Sequence, residues 1–309
     1  MSAAAHPAAG DEQTHNPLAG TLLVVGGMLS FQVGGSFAKL LFPVFGPLGT
    51  VSLRLWIAAI VLAILVRPWR AAPDRATLRL ILWYGASIGV MNMAFYLSLA
   101  RLPLGVAVAV EFLGPLILAL SSARRACELL LFPVIVGGLY LLLQPGAALA
   151  GRPLDLLGLA YGLMAAAGWA AYIVAGGRVS RRIDAARATA LGQAVGAVLV
   201  TPLMAATTPV AIVHPHAALV ACGVAILSSA LPYTLEMLAM KRLHARQFGI
   251  LTSLDPAVAA ITGLLLLGEH LAPAQWAGIL CIVLSSIAGV LIQRPGYETA
   301  PTSPEDRDK

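Results

Sequence analysis

Apolar segments of about 20 residues recur along almost the whole chain, and this feature constrains its fold more than any other. A helix of that length can cross the hydrocarbon core of a bilayer. Of the 309 residues, 59% are hydrophobic and 11% are charged, and the mean hydropathy is +0.86. A soluble domain has about a quarter of its residues charged. The sequence therefore predicts an all-α, multi-pass membrane protein.

The apolar pattern predicts ten transmembrane helices. They cover residues 19–38, 45–66, 78–99, 104–122, 127–144, 154–177, 187–207, 217–240, 247–267 and 272–292. With this scheme, sixteen Lys and Arg residues fall on the tails and one set of loops, and three, Lys39, Arg101 and Arg152, fall on the other set. Because Lys and Arg concentrate in cytoplasmic loops, we expect both termini in the cytoplasm.

Two stretches 141 positions apart, residues 101–115 and 242–256, share one pattern. Each has an Arg, a short break, and an apolar helix with one acid shortly before a proline; the acids are Glu111 and Asp255. The offset corresponds to five predicted helices, and because five is odd the second copy enters the membrane from the opposite side. The pattern predicts two inverted five-helix repeats, a hallmark of alternating-access transporters.

The repeats organise the whole chain. We expect a cytoplasmic N-terminal tail, a first repeat, an external linker, a second repeat and a cytoplasmic C-terminal tail. Their bounds are 1–18, 19–144, 145–153, 154–292 and 293–309. Residues 1–18 contain no Lys or Arg and no apolar stretch, so we expect no signal peptide.

Three prolines are expected to break helices inside the membrane. Proline lacks an N–H and leaves unbonded the carbonyl four residues upstream. The prolines are Pro115, Pro232 and Pro256, which would free the carbonyls of Glu111, Ser228 and Thr252. Because acids and freed carbonyls are costly in hydrocarbon, Glu111 and Asp255 indicate a solute or ion pathway. The alternative is a structural kink in which each acid is hydrogen-bonded for helix packing.

Arg54 is the one basic residue predicted deep inside a helix. An unpaired guanidinium there is severely penalised, so a partner acid is expected, with Glu111 the leading candidate. Arg54 would hold a substrate carboxylate, balance a titrating acid, or form a permanent structural ion pair. The sequence does not choose among these roles.

Several other side chains on the predicted helices could face a polar solute. Glu236, near the cytoplasmic end of its helix, is either a snorkelling surface acid or a transport acid. Neutral side chains that could offer hydrogen bonds, or simply join helices, are Asn92, Gln32, Gln193, Tyr96, Tyr172 and Tyr233. Lys39 is expected to snorkel outward from the first helix, and Trp83 and Trp169 are expected to anchor theirs at the membrane interface.

No sequence motif indicates catalysis, a cofactor or a metal. The chain has no P-loop, GxSxG or HExxH motif, and we expect neither an enzyme nor an ATP-driven pump. His214 and His216 lack a third ligand nearby, and the three cysteines have no paired spacing. The basic residues are scattered through short loops, as membrane topology requires, so nucleic acid is not an expected partner.

Longer strings of the sequence resemble a known family. The closing segment LGEHLAPAQWAGILCIVLSSIAGVLI, residues 267–292, resembles the last helical hairpin of the drug/metabolite transporter superfamily, EamA type. Other strings resemble its bacterial inner-membrane exporters of threonine and homoserine. They are GGSFAKLLFP, GVMNMAFYLSL, LPLGVAVAVEFLGPL, AILSSALPYTLEMLAMKRL and FGILTSLDPAVAAITGLLLLGE. The resemblance implies ten helices in two inverted halves and export driven by the proton gradient. Asp255 occupies a position where those relatives are expected to carry Glu.

The sequence thus leads to one hypothesis and two alternatives. The hypothesis is an exporter of small amino acids in the cytoplasmic membrane, with Glu111 facing the substrate ammonium group or titrating, and Arg54 facing its carboxylate. Protons and the lipid bilayer are the expected partners, and the sequence assigns no oligomeric state. The alternatives are an exporter of lipophilic drugs or other metabolites, against which the 6% aromatic content argues mildly, and a membrane scaffold.

Overall fold

The computed structural model describes residues 17–70, 73–121, 130–143, 155–207, 215–240, 242–243 and 245–292. Within these residues the chain is helical and contains no β-strand. The helices are α1 (Pro17–Leu40), α2 (Phe42–Val66), α3 (Arg75–Leu99), α4 (Leu104–Glu111), α5 (Leu113–Ser121), α6 (Leu131–Leu143), α7 (Leu156–Val179), α8 (Ala185–Thr207), α9 (Pro215–Ala225), α10 (Leu231–Met240), α11 (Ala245–Thr252), α12 (Asp255–Leu267) and α13 (Pro273–Ile292). A short 3₁₀ turn (Pro68–Arg70) follows α2, and a π-helical turn (Ile226–Ala230) joins α9 to α10.

Eight helical stretches of the described chain are long and apolar enough to cross a membrane. Two shorter apolar stretches, Leu131–Leu143 and Leu219–Ser229, lie within the fifth and eighth predicted segments. The prediction of an all-α, multi-pass membrane protein is therefore confirmed. The count of ten crossings, the division into repeats and the cytoplasmic location of both termini stay predictions. Both tails and the linker fall largely outside the described residues.

Aspartates precede two of the long helices. Asp74 accepts hydrogen bonds from the N–H groups of Ala76 and Thr77 at the start of α3, and Asp155 accepts one from Gly158 at the start of α7. Such N-caps satisfy donors that have no partner within the helix. The hydrogen bonds from Thr77 and from Gly158 are the main causes that lower the pKa values of Asp74 and Asp155.

Helix interruptions occur beside each of the three prolines. Phe112 separates α4 from α5 three residues before Pro115, and Ser253 and Leu254 separate α11 from α12 just before Pro256. The π-helical turn ends two residues before Pro232. Because proline cannot donate to the preceding turn, the regular hydrogen-bond ladder is lost at these points. The ends of α4 and α11, Glu111 and Thr252, are 141 positions apart.

Helices from the first half of the chain pack mainly on helices from the second half. The closely packed pairs include α3 with α7, α2 with α8, α6 with α13, α4 with α12 and α1 with α10. Small residues allow these backbones to approach, as is typical of helix packing in membranes. A Cβ atom built on Gly34 would lie 2.7 Å from Cβ of Ser228, and one on Gly105 would lie 2.6 Å from Cβ of Ala260. The interface between the two halves therefore runs through the centre of the molecule.

Candidate functional site

A cavity of about 230 Å³ lies at this central interface. Its walls come from α1, α3 and α4 in the first half and from α7, α10, α11 and α12 in the second. The lining residues are Met28, Phe31, Met91, Val108, Glu111, Phe112, Trp169, Tyr172, Pro232, Phe248, Thr252 and Asp255. Both acids predicted to mark a solute pathway thus line one cavity, together with the proline predicted to break the eighth helix.

The cavity walls repeat the sequence offset seen around the two acids. Eight of the lining residues form four pairs whose members are 141 positions apart. The pairs are Met28 with Trp169, Phe31 with Tyr172, Met91 with Pro232, and Glu111 with Thr252. Each half of the chain therefore contributes residues at the same offset to the same space.

Glu111 is the more deeply placed of the two acids. It is the last residue of α4, its exposed fraction is 7%, and every residue of α4 is buried. The break at Phe112 directs the chain from α4 into α5 at the level of the cavity. A carboxyl group held here can exchange a proton or bind a cationic group of a solute without leaving the protein interior.

Asp255 approaches the same cavity from the opposite half. It is the first residue of α12, and it is partly exposed. The Nε2 amide of buried Gln32 donates to Oδ1 of Asp255 at 2.8 Å, and a helix N-terminus favours a negative charge. Sequence reasoning did not pair Gln32 with Asp255, because the two residues are 223 positions apart.

Arg54 lies behind the cavity wall and not on the cavity surface. Its exposed fraction is 3%, and its guanidinium donates to Ser229 Oγ and to the hydroxyl of Tyr96, both at 3.1 Å. It also lies against the ring of Phe31, a wall residue, at 5.6 Å from the centroid. Hydroxyl groups and aromatic rings thus stabilise this buried cation.

Among the described residues, the expected direct ion pair between Arg54 and Glu111 is not formed. Ion pairs within 4 Å are formed instead by other residues, among them Lys39 with Glu269, Arg101 with Asp155 and Arg182 with Asp74. Arg54 is still near enough to Glu111 for an electrostatic interaction. Phe31 both contacts Arg54 and lines the cavity, so Arg54 adjoins a residue of the cavity wall without lining the cavity itself.

Of the remaining side chains that were predicted to face a polar solute, only some line the cavity. Tyr172 lines the cavity, whereas Tyr96 is fully buried and bonded to Arg54. The Asn92 amide donates to the carbonyl of Ile88 on its own helix, and Gln193 is buried in α8. Tyr233 and Glu236 belong to α10, but their side chains lie outside the described part of the chain. Pro115 and Pro256 follow the breaks that orient the two acids.

Several aromatic residues of the cavity were missed or misplaced by sequence reasoning. Trp169, expected at the membrane interface, instead lines the cavity and packs edge-on against Phe112, with ring centroids 5.8 Å apart. Phe31 and Phe248, which no motif had singled out, also face the cavity. The 141-residue offset pairs Trp169 with Met28 and Tyr172 with Phe31, so it was the sequence feature that could have located most of this wall.

The described residues contain no group of three His, Cys, Asp or Glu side chains that could hold a metal ion. His214 and the side chain of His216 fall outside those residues, as does Cys127. Cys222 and Cys281 are free thiols. The cavity lining offers two carboxyl groups, the hydroxyl groups of Thr252 and Tyr172, aromatic rings and the thioethers of Met28 and Met91.

Comparison with known proteins assigns this helical membrane protein to a class of transporters. The model of the EamA-like transporter family matches residues 156–291. The chain is 40% identical over 267 residues to the threonine/homoserine exporter RhtA of Escherichia coli K12, covering 86% of this chain and 90% of that protein. The chain belongs to the EamA-like transporter family.

Within that family the chain is similar to the RhtA exporters in particular. The RhtA protein of Salmonella typhimurium SL1344 is 39% identical over 273 residues, which cover 88% of this chain and 92% of that protein. A solved crystal structure shares the fold with a TM-score of 0.57 and 19% identity, over 91% of this chain and all of the other. That structure supports the fold alone.

Proposed function

We propose that this protein exports small amino acids of the threonine and homoserine type across the cytoplasmic membrane. The observation that carries the proposal is a cavity, formed by both halves of the chain, that contains two carboxyl groups. The relatives named as threonine/homoserine exporters match along most of the chain, which supports the same substrate class. The source of energy in the proposal is the proton gradient, with the cavity acids as proton carriers.

The dimensions and charge of the cavity suit a small ammonium-bearing solute. Its volume of about 230 Å³ is below the range of roughly 300–1,000 Å³ that is usual for drug-sized ligands. Glu111, and secondarily Asp255, would bind the ammonium group through charge-assisted hydrogen bonds. Protonation of either acid would weaken that interaction and couple release to proton movement.

Two roles for Arg54 are compatible with the proposal. It would bind the substrate carboxylate after movement of the Phe31 ring, or it would balance the charge of Glu111 from behind the wall. The contact between Arg54 and Phe31 supports the first role, and the hydrogen bonds to Tyr96 and Ser229 support the second. Asn92, Tyr233 and Glu236 are secondary candidates on the neighbouring helices α3 and α10.

The proposed mechanism is alternating access between two inverted repeats of five helices each, with both termini in the cytoplasm. It is supported by the helix breaks and wall residues that recur at an offset of 141 positions. It is also supported by an asymmetry. The segment α4 packs extensively on α12, whereas their repeat equivalents, α11 and α5, have no comparable packing among the described residues. This difference favours a cavity that opens towards the cytoplasm.

The test is a transport panel that separates the candidate substrates. Cells that do and do not overexpress the protein would be grown in inhibitory homoserine, threonine or a cationic dye, and efflux of labelled threonine would be measured in the same cells. We expect resistance to homoserine and threonine, with faster efflux. Absence of both, with the protein present in the membrane, would reject the amino-acid proposal.

A second candidate, an exporter of cationic lipophilic compounds, is favoured by one observation. Five aromatic side chains line the cavity beside its two acids: Phe31, Phe112, Trp169, Tyr172 and Phe248. Aromatic rings and carboxylates together bind large organic cations well. Resistance to the dye without resistance to homoserine would establish this alternative.

A further inference from the structure

A cluster of polar contacts outside the cavity connects three separate segments of the chain. Lys39 lies in the last turn of α1 and was expected to snorkel outward. Its Nζ lies 2.5 Å from Oε1 of Glu269 in the connection between α12 and α13. Lys39 Nζ also donates to the carbonyl of Leu102 at 3.0 Å, and Glu269 Oε2 accepts from the N–H of Leu104 at 2.6 Å. The side chains of Lys39 and Glu269 are 24% and 14% exposed.

Local structure explains why Glu269 reaches this position. Gly268 adopts φ +65°, a left-handed conformation that glycine accepts readily, and it ends α12. The following carboxylate then points back at the start of α4, where Pro103 provides no side-chain cap. Because the first N–H groups of a helix have no partner within it, Glu269 supplies the missing acceptor, and its charge suits a helix N-terminus.

The cluster lies where α4 and α12 are in closest contact. Gly105 of α4 touches Ala260 of α12, and Leu104 lies beside Gly263. By the charge distribution of the loops, this is the external end of both helices. Lys39 and Leu104 belong to the first half of the chain and Glu269 to the second, so these bonds join the two halves at one end of the cavity.

We propose that Lys39 and Glu269 form the external gate of the transporter. In this conformation they tie α1 and the start of α4 to the end of α12 and close the cavity towards the outside. In the opposite state the Lys39–Glu269 pair separates, Leu104 loses its cap, and α4 moves away from α12. The inference rests on the alternating access proposed above, but it does not depend on the identity of the substrate.

The test measures from which side a cavity residue can be reached. Thr252 lines the cavity and is partly exposed, and cysteine is close to threonine in size. In a chain with Cys127, Cys222 and Cys281 replaced by Ser, Thr252→Cys would be labelled with a membrane-impermeant maleimide in right-side-out and inside-out vesicles. We expect this parent chain to be labelled mainly from the cytoplasmic side. Lys39→Met loses the Nζ bonds to Glu269 and to the Leu102 carbonyl, and Glu269→Gln loses the charge of the pair. In both variants external labelling should be at least about tenfold faster, the size of one charge-assisted hydrogen bond.

Matched controls separate a gate from a general loosening of the protein. Arg101→Met removes another external ion pair, that with Asp155 at 2.8 Å, whose side chains are more exposed at 42% and 34%. It should leave external labelling at the parent rate, and so should Lys39→Arg, which keeps the charge and the donors. Labelling from the cytoplasmic side confirms that each variant is inserted, and a thermal unfolding temperature equal to that of the parent confirms that it is folded.

Three results would overturn the proposal. The first is external labelling that stays at the parent rate in both Lys39→Met and Glu269→Gln. The second is an equal increase in Arg101→Met. The third is a parent chain labelled as fast from outside as from inside. Failure of the amino-acid proposal would leave all of these measurements unchanged, so the two failures can be told apart.

Discussion

The helices α4 and α11 occupy corresponding positions of the 141-residue offset, and yet they lie in different environments. Each has eight residues, and every position of α11 is 141 beyond its counterpart in α4. All of α4 is buried, whereas residues 247–252 of α11 are exposed or partly exposed. Glu111 is the last residue of α4 and Thr252 is the last residue of α11, so only α4 ends in an acidic side chain.

This difference bears on the alternating access proposed above. If two equivalent helices can occupy both a packed and an open environment, exchanging those environments converts one state of the protein into the other. Here α4 has the packed environment, and Glu269 stabilises it by accepting a hydrogen bond from the first N–H of α4. Glu111 and Thr252 end these helices with a carboxyl group in one case and a hydroxyl group in the other, so under our proposal the two halves would differ in their contribution to substrate and proton binding.

The largest expected effect comes from removing the charge at the end of α4. Glu111→Gln should abolish export of threonine and homoserine, because it removes the buried carboxyl group while keeping the shape of the side chain. The matched change at the end of α11, Thr252→Val, should retain most of the export. Both variants should reach the membrane in normal amounts, as judged by immunoblotting. Full efflux by Glu111→Gln would reject the assigned role of Glu111.

A disulfide between α4 and α12 should also stop transport, but reversibly. A Cβ atom on Gly263 would lie 3.3 Å from Cβ of Leu104, close to the usual separation of about 3.5–4.5 Å in disulfides. Oxidation of a Leu104→Cys, Gly263→Cys double variant should block efflux, and a reducing agent should restore it.

Each single variant serves as the control for this cross-link. The control is needed because the new Cβ on residue 263 would also lie 2.7 Å from Oε2 of Glu269, whose flexible side chain must then shift. Efflux by the single variants should not respond to the oxidant. Undiminished efflux by the cross-linked protein would show that α4 and α12 need not separate.

Replacing Asp255 should reduce export less than replacing Glu111. Asp255→Asn can still accept the hydrogen bond from Gln32 but loses the charge, and we expect export to fall by roughly tenfold, the size of one charge-assisted hydrogen bond. Gln32→Leu keeps the charge and removes the hydrogen bond, so its reduction should be smaller. The rates would be measured as efflux of labelled threonine. A greater loss in Gln32→Leu would mean that the hydrogen bond matters more than the charge.

The hydropathy pattern was enough to predict the helical membrane fold, because the bilayer requires long apolar helices. It also drew attention to Glu111 and Asp255, since a charge in an apolar segment is conspicuous. The surroundings of Arg54 could not be predicted in this way. Its bonds to Ser229 and Tyr96 depend on how helices pack, and Ser229 is 175 positions away. Trp169 was misplaced for the same reason, because an aromatic residue suits both a membrane interface and a cavity wall.

The smallest expected effect is on stability, and it tests the close contact between α4 and α12 at Gly105. A Cβ on Gly105 would lie 2.6 Å from both Cα and Cβ of Ala260, whereas one on Gly137 would meet nothing within 4 Å. Gly105→Ala should therefore force α4 away from α12 and destabilise the protein by about 1–3 kcal/mol, the usual cost of overpacking. Gly137→Ala should leave the thermal unfolding temperature in detergent unchanged or slightly higher. Equal unfolding temperatures for the two variants would show that the contact between α4 and α12 does not limit stability.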